Sequence, residues 1–200
     1  GDEHLMSSLF TASEIALAKL GLAALGDAPE AGWDVVVGGL GLGYTAAAVL
    51  EDPQVRSLEV VDFLAPVIEW HEKRLVPLDP PLLDDRRCSL RQADFFELAA
   101  SDAGFGGPKD AILIDIDHTP EWLLDQRSGS FYSQDGLQKL ARHLKPGGVM
   151  GLWSDALKDE AFTARMADVF DAAWAEPVTF HNPFQNKPFT QTVYLAQKSG

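Results

Sequence analysis

Apolar, β-branched runs alternate along this chain with stretches in which apolar residues recur every three or four positions. The runs predict buried strands, and the longer stretches predict amphipathic helices. The predicted strands are WDVVVGG (33–39), SLEVVD (57–62), CSLRQAD (88–94), DAILIDID (110–117) and VMGLWS (149–154). The predicted helices are SSLFTASEIALAKLGLAAL (7–25), YTAAAVLED (44–52), APVIEWHEKRL (65–75), SQDGLQKLARHLK (133–145) and DEAFTARMADVFDAAW (159–174). This alternation favours a parallel sheet covered by helices on both faces.

The last part of the chain breaks the alternation. Residues 176–198 hold two β-like runs separated by a loop with Pro183 and Pro188, and no helix lies between them. The two runs are therefore expected to pair antiparallel at one side of the sheet. The predicted fold class is α/β: a Rossmann-like, doubly wound, mostly parallel seven-stranded sheet with an antiparallel C-terminal edge strand. We expect a helical N-terminal segment over residues 1–30 and one ligand-binding domain over residues 31–200, compact together.

A glycine-rich loop joins the first strand to the following helix. Gly39, Gly41 and Gly43 stand in VVVGGLGLGYTAAAVL (35–50), with the spacing G-x-G-x-G. Glycines at such a turn allow a ligand to approach the backbone, and the helix N-terminus offers N–H groups to it. The alternative is a tight turn with no ligand. A doubly wound sheet binds its ligand at the carboxyl ends of the strands, which favours the first interpretation.

Acidic residues stand at the carboxyl ends of the next two strands. Asp62 ends the second strand, nineteen residues after Gly43, where a carboxylate can accept both hydroxyls of a ribose. Asp94 follows the third strand and can accept a hydrogen bond from an adenine amino group, with Phe95 against the ring. Capping of the next helix is the alternative role for Asp94.

The fourth strand ends in a third polar group. Asp115, Asp117 and His118 follow the apolar run AILI. Two carboxylates and an imidazole could together remove a proton from an attacking nucleophile. The rival interpretations are a capped loop and, more weakly, a metal site. We assign no metal, because the remaining histidines lie in unrelated elements.

Composition narrows the class of partner. The formal net charge is −14, which argues against nucleic-acid binding, since that requires lysine and arginine to neutralise phosphates. Cys88 is the only cysteine, so no internal disulfide can form, and the default expectation is a cytoplasmic protein. No apolar stretch is long enough for a membrane span, and GDEHLMSSLF has no signal-peptide character. The sequence is compatible with a homodimer.

Taken together, these segments resemble the class I S-adenosylmethionine-dependent methyltransferase superfamily, and within it the spermidine synthase-like branch. VVVGGLGLGYTAAAVLEDPQVRSLEVVDFLAPVI resembles the glycine loop and the acidic end of the second strand of that branch. ADFFEL resembles its adenine-contacting segment, and FYSQDGLQKLARHLKPGGVMGLWS resembles the helix, turn and fifth strand beyond its active-site loop. The resemblance runs from about Met6 to Lys198.

The resemblance implies S-adenosylmethionine, or its decarboxylated form, as cofactor. The implied cofactor residues are Gly39, Gly41, Gly43, Asp62, Asp94 and Phe95. Spermidine synthases carry Asp-x-x-Asp-Pro after the fourth strand; Asp115 matches the first aspartate, and His118 stands at the second. The expected function is therefore methyl transfer to a small-molecule acceptor, with an amine among the candidates. The alternatives are aminopropyl transfer and nucleoside binding without turnover. The glycine spacing and the two-strand tail disfavour a nicotinamide dehydrogenase.

Overall fold

The structure, a computed structural model, describes residues 11–116, 119–120, 129–182 and 187–200. Within these ranges the helices are α1 (Ala12–Ala23), α2 (Tyr44–Leu50), α3 (Ala65–Glu72), α4 (Phe95–Ala100), α5 (Gln134–Ala141) and α6 (Glu160–Ala167), with a 3-10 turn at Leu82–Asp84. The strands are β1 (Trp33–Gly38), β2 (Val55–Asp62), β3 (Cys88–Gln92), β4 (Lys109–Ile114), β5 (Leu144–Ser154), β6 (Ala172–Asn182) and β7 (Lys187–Gln197).

The strands form a seven-stranded sheet in the order β3-β2-β1-β4-β5-β7-β6. Strands β1 to β5 pair parallel, and β7 pairs antiparallel with both β5 and β6. The predicted fold class is confirmed. One detail differs from the prediction: the C-terminal strand β7 lies between β5 and β6, so the outer edge is formed by β6.

The predicted helix over residues 159–174 is wrong in its second half. Helix α6 ends at Ala167, and Ala172 already belongs to β6. Ala172 pairs with Gln197 and Trp174 with Leu195, so the ladder with β7 satisfies the backbone groups that a longer helix would have used. Pairing with a distant strand outweighs local helix propensity here.

Helix α1 lies along the sheet face that α2 and α3 also cover. Leu17 belongs to the core cluster on that face, together with Leu113 of β4 and Leu195 of β7. The C-terminal end of α1 is held near the amino-terminal ends of the parallel strands. There the Gln197 side chain donates to the Ala24 carbonyl at 3.2 Å. The N-terminal end of α1 is therefore directed towards the carboxyl ends of the strands. Helices α4 to α6 cover the other face around a second core cluster.

A charged cluster joins the amino-terminal ends of β1, β4 and β5. The Lys145 ammonium donates to Asp110 at 2.6 Å and to Asp34 at 3.3 Å. Asp34 also accepts from Arg56 and, at 2.6 Å, from Ser57. Burial raises the pKa of Asp34, but the hydrogen bonds from Arg56, Ser57 and Lys145 outweigh it and lower the pKa to about 2.

Replacing Lys145 by methionine is expected to lower the free energy of unfolding by about 1–3 kcal/mol at pH 7, because it leaves two partly buried carboxylates without their shared cation. Asp34 ionises more readily in the folded protein, so its stabilisation is present above pH 3.8 and is lost as the pH falls through about 2. Urea unfolding at pH 7 and pH 2.5 measures both effects. Lys139→Met is the control, since its i,i+4 ion pair with Asp135 lies at the surface. Equal losses in the two variants would contradict the prediction.

Candidate functional site

The glycine loop takes the backbone from the end of β1 into α2. Gly39, Gly41 and Gly43 all have positive φ, at 91°, 46° and 91°. A Cβ on Gly39 would collide with the Asp115 carbonyl, and one on Gly43 would lie 2.8 Å from Cε1 of His71. Contacts within the chain thus explain why glycine stands at positions 39 and 43. These two glycines are therefore not in themselves evidence for a bound ligand.

Gly41 lies in the middle of the loop. Its carbonyl accepts a hydrogen bond from Nε2 of His71 at 3.0 Å. Among the described residues, no group accepts a hydrogen bond from the Gly41 or Leu42 amide. Two adjacent N–H groups without a described partner are available to an acceptor on a ligand.

Asp62 ties this loop to the end of β2. Its Oδ2 accepts from the Leu40 amide at 2.8 Å, and its Oδ1 accepts from the Leu64 amide at 2.8 Å. Each carboxylate oxygen has a second lone pair, so both can accept a further hydrogen bond. The Asp62 carboxylate lies at the carboxyl end of β2, as expected for a residue that binds the ribose. The contact with the ribose itself stays a prediction.

Asp94 caps α4, which was the alternative role. Its Oδ1 accepts from the amides of Phe96 and Glu97 at 2.9 and 3.1 Å. No described residue donates to Oδ2, so an adenine contact at that oxygen stays a prediction. For Phe95 the structure differs from the predicted ligand contact. Its ring is 3% exposed and packs beneath β1, where a Cβ on Gly38 would lie 2.6 Å from it.

Asp115 directly follows β4, next to the glycine loop. Its amide donates to the Gly38 carbonyl at 2.8 Å, and its Oδ2 accepts from the Thr45 hydroxyl of α2 at 2.7 Å. Burial raises the pKa of Asp115 to about 6, although the hydrogen bond from Thr45 works in the opposite direction. The carboxyl group is thus mostly ionised at pH 7 and takes up a proton as the pH falls through about 6. Asp117 and His118 lie outside the described residues.

Glu14, in the first turn of α1, interacts electrostatically with Asp115 and was missed from the sequence. Burial, and then the charge of Asp115, raise its pKa to about 8. Its Oε2 is buried and has no hydrogen-bond partner in the part of the chain that the structure describes. Both effects favour the neutral form of Glu14 beside the Asp115 carboxylate. The sequence held no local signal for this role, since an acidic residue in the first turn of a helix is common.

The strand ends at this edge are joined by backbone hydrogen bonds. The Gly39 amide donates to Val61 at 2.8 Å, the Ala93 amide donates to Asp62 at 3.0 Å, and the Asp115 amide donates to Gly38. The ends of β3, β2, β1 and β4 are thus held in a row. The structure brings the glycine loop, Asp62, Asp94 and Asp115 to one edge, as the sequence predicted.

No protein-family model matches the sequence, and no curated relative matches it. Solved structures do match. A spermidine synthase in complex with the transition-state analogue AdoDATO has a TM-score of 0.72 at 19% identity, covering 94% of this chain and 61% of that one. Spermidine synthase from Thermotoga maritima has a TM-score of 0.69 at 19% identity, covering 94% and 59%. Human methyltransferase-like protein 13 in complex with SAH has a TM-score of 0.68 at 22% identity, covering 93% and 82%.

This is the Rossmann-like methyltransferase fold. At these identities the likeness establishes the architecture. The chain spans about three fifths of the length of the first two matched synthases, at 59% and 61%.

An aromatic ring next to Asp62 was missed from the sequence. Phe63, directly after Asp62, is 61% exposed, so an aromatic ring is available beside the predicted ribose position. The sequence signal was an aromatic residue following a strand-end acid.

Over the described ranges, no group of histidine, cysteine and carboxylate side chains could hold a metal ion. None of the helices in those ranges is long and apolar enough to cross a bilayer.

Replacing Glu14 by glutamine is expected to stabilise the protein increasingly as the pH rises from 5 to 9. The folded pKa of about 8 lies above the ordinary 4.5, so the stability linked to Glu14 is complete below pH 4.5 and is lost as the pH rises through 8. Glutamine avoids that loss, which we expect to reach about 1–3 kcal/mol at pH 9. Thermal unfolding across this pH range is the measurement.

The matched control is Glu160→Gln, in the first turn of α6, where the side chain is 80% exposed. It is expected to change stability by less than about 0.5 kcal/mol. A Glu14→Gln variant whose stability relative to the parent does not change with pH would show that Glu14 is not held in its neutral form.

Proposed function

We propose that the protein is an S-adenosylmethionine-dependent transferase that moves a methyl group to a small-molecule acceptor. The observation that carries the proposal is the row of strand ends, where Asp62 and Asp115 lie on either side of two loop amides that have no partner among the described residues. Sequence features alone suggested each part. Their assembly at one edge of a methyltransferase fold supports a common purpose.

The described residues fit this cofactor. The carboxylate of Asp62 can accept hydrogen bonds from two ribose hydroxyls, and Phe63 offers an apolar ring beside it. The amides of Gly41 and Leu42, to which no described residue offers an acceptor, suit the carboxylate of the methionine part. Decarboxylated S-adenosylmethionine lacks that carboxylate, which favours methyl transfer over aminopropyl transfer.

When bound, the cofactor supplies an electrophilic carbon next to a sulfonium. The chain contributes positioning and a proton acceptor. Asp115, ionised at pH 7 and held by Thr45, would take the proton from the acceptor. An amine is the acceptor class that suits the site best, because an ammonium group can pair with Asp115 and donate to the unpartnered oxygen of Glu14.

Aminopropyl transfer is the second candidate. The matched structures include spermidine synthases, one of them with a transition-state analogue. A cationic amine acceptor beside Glu14 and Asp115 would suit aminopropyl transfer as well as it suits methyl transfer. Nucleoside binding without turnover is the third. It predicts cofactor affinity with no transfer to any amine. A cytoplasmic location and a homodimer belong to the same proposal and rest on the sequence alone.

Calorimetric titration with S-adenosylhomocysteine, decarboxylated S-adenosylmethionine and NAD tests the proposal. Tight binding of the first, weaker binding of the second and none of the third are expected. Preference for the decarboxylated cofactor would favour aminopropyl transfer, and binding of NAD alone would overturn the proposal. Transfer assays over a panel of small amines then separate an enzyme from a nucleoside-binding protein.

A further inference from the structure

His71 of α3 is buried beneath the glycine loop, at 3% exposure. Its Nε2 lies 3.0 Å from the Gly41 carbonyl oxygen, and its Cε1 lies where a side chain on Gly43 would be. Val67 and Ile68 of the same helix are buried in the core against the sheet. The imidazole therefore connects a firmly packed helix to the middle of the loop.

The hydrogen bond fixes both the proton on the ring and the orientation of one peptide group. A carbonyl only accepts, so Nε2 carries the proton and donates. The peptide between Gly41 and Leu42 is planar, and in the trans form its N–H points opposite to its C=O. With the carbonyl directed at His71, the Leu42 amide points away from α3.

The loop does not fix that orientation by itself. Reversing the peptide changes ψ of Gly41 and φ of Leu42, and glycine allows many more backbone conformations than other residues. The Leu42 amide makes no hydrogen bond to the described residues that would hold it. Within the described ranges, the contact with His71 is the interaction that selects one orientation.

We propose that His71 is a positioning residue of the cofactor site, which holds the peptide between Gly41 and Leu42 so that the Leu42 amide is preformed for the ligand. This inference rests on the proposed function. Without the imidazole, the cofactor would have to order the peptide as it binds, and its affinity would fall.

The test compares His71→Leu, which removes the donor, with His71→Gln, whose amide nitrogen reaches about as far as Nε2. His71→Leu is expected to weaken binding of S-adenosylhomocysteine about 5- to 20-fold in calorimetry. His71→Gln is expected to recover most of that affinity. His71→Asn, whose side chain is one methylene shorter, is expected to behave like the leucine variant. It replaces the leucine variant in the test if that variant does not fold.

The chain offers a matched control in His143. It is also buried, at 8% exposure, its Nε2 lies 3.2 Å from the Ala99 carbonyl, and its ring packs against Gly104, a glycine with positive φ. Its own carbonyl accepts from the Lys109 amide at the start of β4, at the opposite end of the sheet. His143→Leu is expected to lower the melting temperature as much as His71→Leu does, with unchanged ligand affinity.

The outcomes separate this inference from the proposed function. A parent protein that binds no adenosyl ligand overturns both. A parent that binds, together with a leucine or asparagine variant of equal affinity, overturns the role of His71 alone. Equal losses of affinity in the His71 and His143 variants would show a general effect of stability and would also overturn it.

Discussion

Replacing Asp115 by asparagine is expected to lower turnover by about 10²-fold or more, the usual scale for a positioned base. Asparagine has nearly the same size, and its oxygen can still accept the Thr45 hydroxyl, so the fold and cofactor binding should be retained. It cannot take up a proton. Steady-state kinetics on the acceptor found in the amine panel, beside a titration with S-adenosylhomocysteine, measure the two effects separately.

The pH dependence gives the same prediction an independent readout. A base must be ionised, so kcat/KM should rise with pH through the pKa of Asp115, about 6. Thr45→Val removes the hydrogen bond that favours the ionised form, and the rise should move to higher pH. The control is Thr163→Val, since the Thr163 hydroxyl donates to the Asp159 carbonyl, away from the site.

Two outcomes would contradict a role as base. Full activity in Asp115→Asn would mean that the carboxylate only shapes the loop after β4. Loss of cofactor affinity would place Asp115 in the cofactor site instead. Asp117 and His118 lie outside the described residues, and the sequence predicts smaller losses for Asp117→Asn and His118→Ala, because each can substitute for the other.

The sequence predicted the sheet well because its strands are continuous apolar runs separated by helices. This pattern also placed Asp62 and Asp115 correctly, since each directly follows a run whose end is unambiguous. It failed over residues 159–174. There the helical pattern continues into Ala172–Trp174, and only pairing with β7, which lies far along the chain, decides for a strand.

Tertiary contacts explain the remaining differences at the site. A glycine in a sequence does not say which atoms approach it, and at Gly39 and Gly43 these are the Asp115 carbonyl and the His71 ring. The burial of Phe95 depends on Gly38 and on rings from other elements, Phe105 and Phe131 among them. Glu14 looked like an ordinary residue of a helical first turn, since nothing local reveals that α1 brings it to Asp115.

Replacing Asp62 by alanine is expected to weaken binding of S-adenosylhomocysteine by about 1.5–3 kcal/mol, or roughly 10- to 150-fold, the scale of losing hydrogen bonds to a charged acceptor. Two effects combine in that loss. The ribose hydroxyls lose their predicted acceptor, and the Leu40 and Leu64 amides lose the carboxylate that ties the glycine loop to β2. Calorimetry gives the sum, and thermal unfolding shows how much of it is structural.

A ligand-side comparison isolates the ribose contact. Removing both ribose hydroxyls, as in 2′,3′-dideoxyadenosine, should weaken binding to the parent protein relative to adenosine, because the Asp62 carboxylate then has nothing to accept. In Asp62→Ala the same change of ligand should cost little, since the acceptor is already absent. The difference between the two proteins is the coupling between Asp62 and the hydroxyls, free of the effect on the loop. If both proteins lose the same affinity when the hydroxyls are removed, Asp62 anchors the loop and does not touch the ribose.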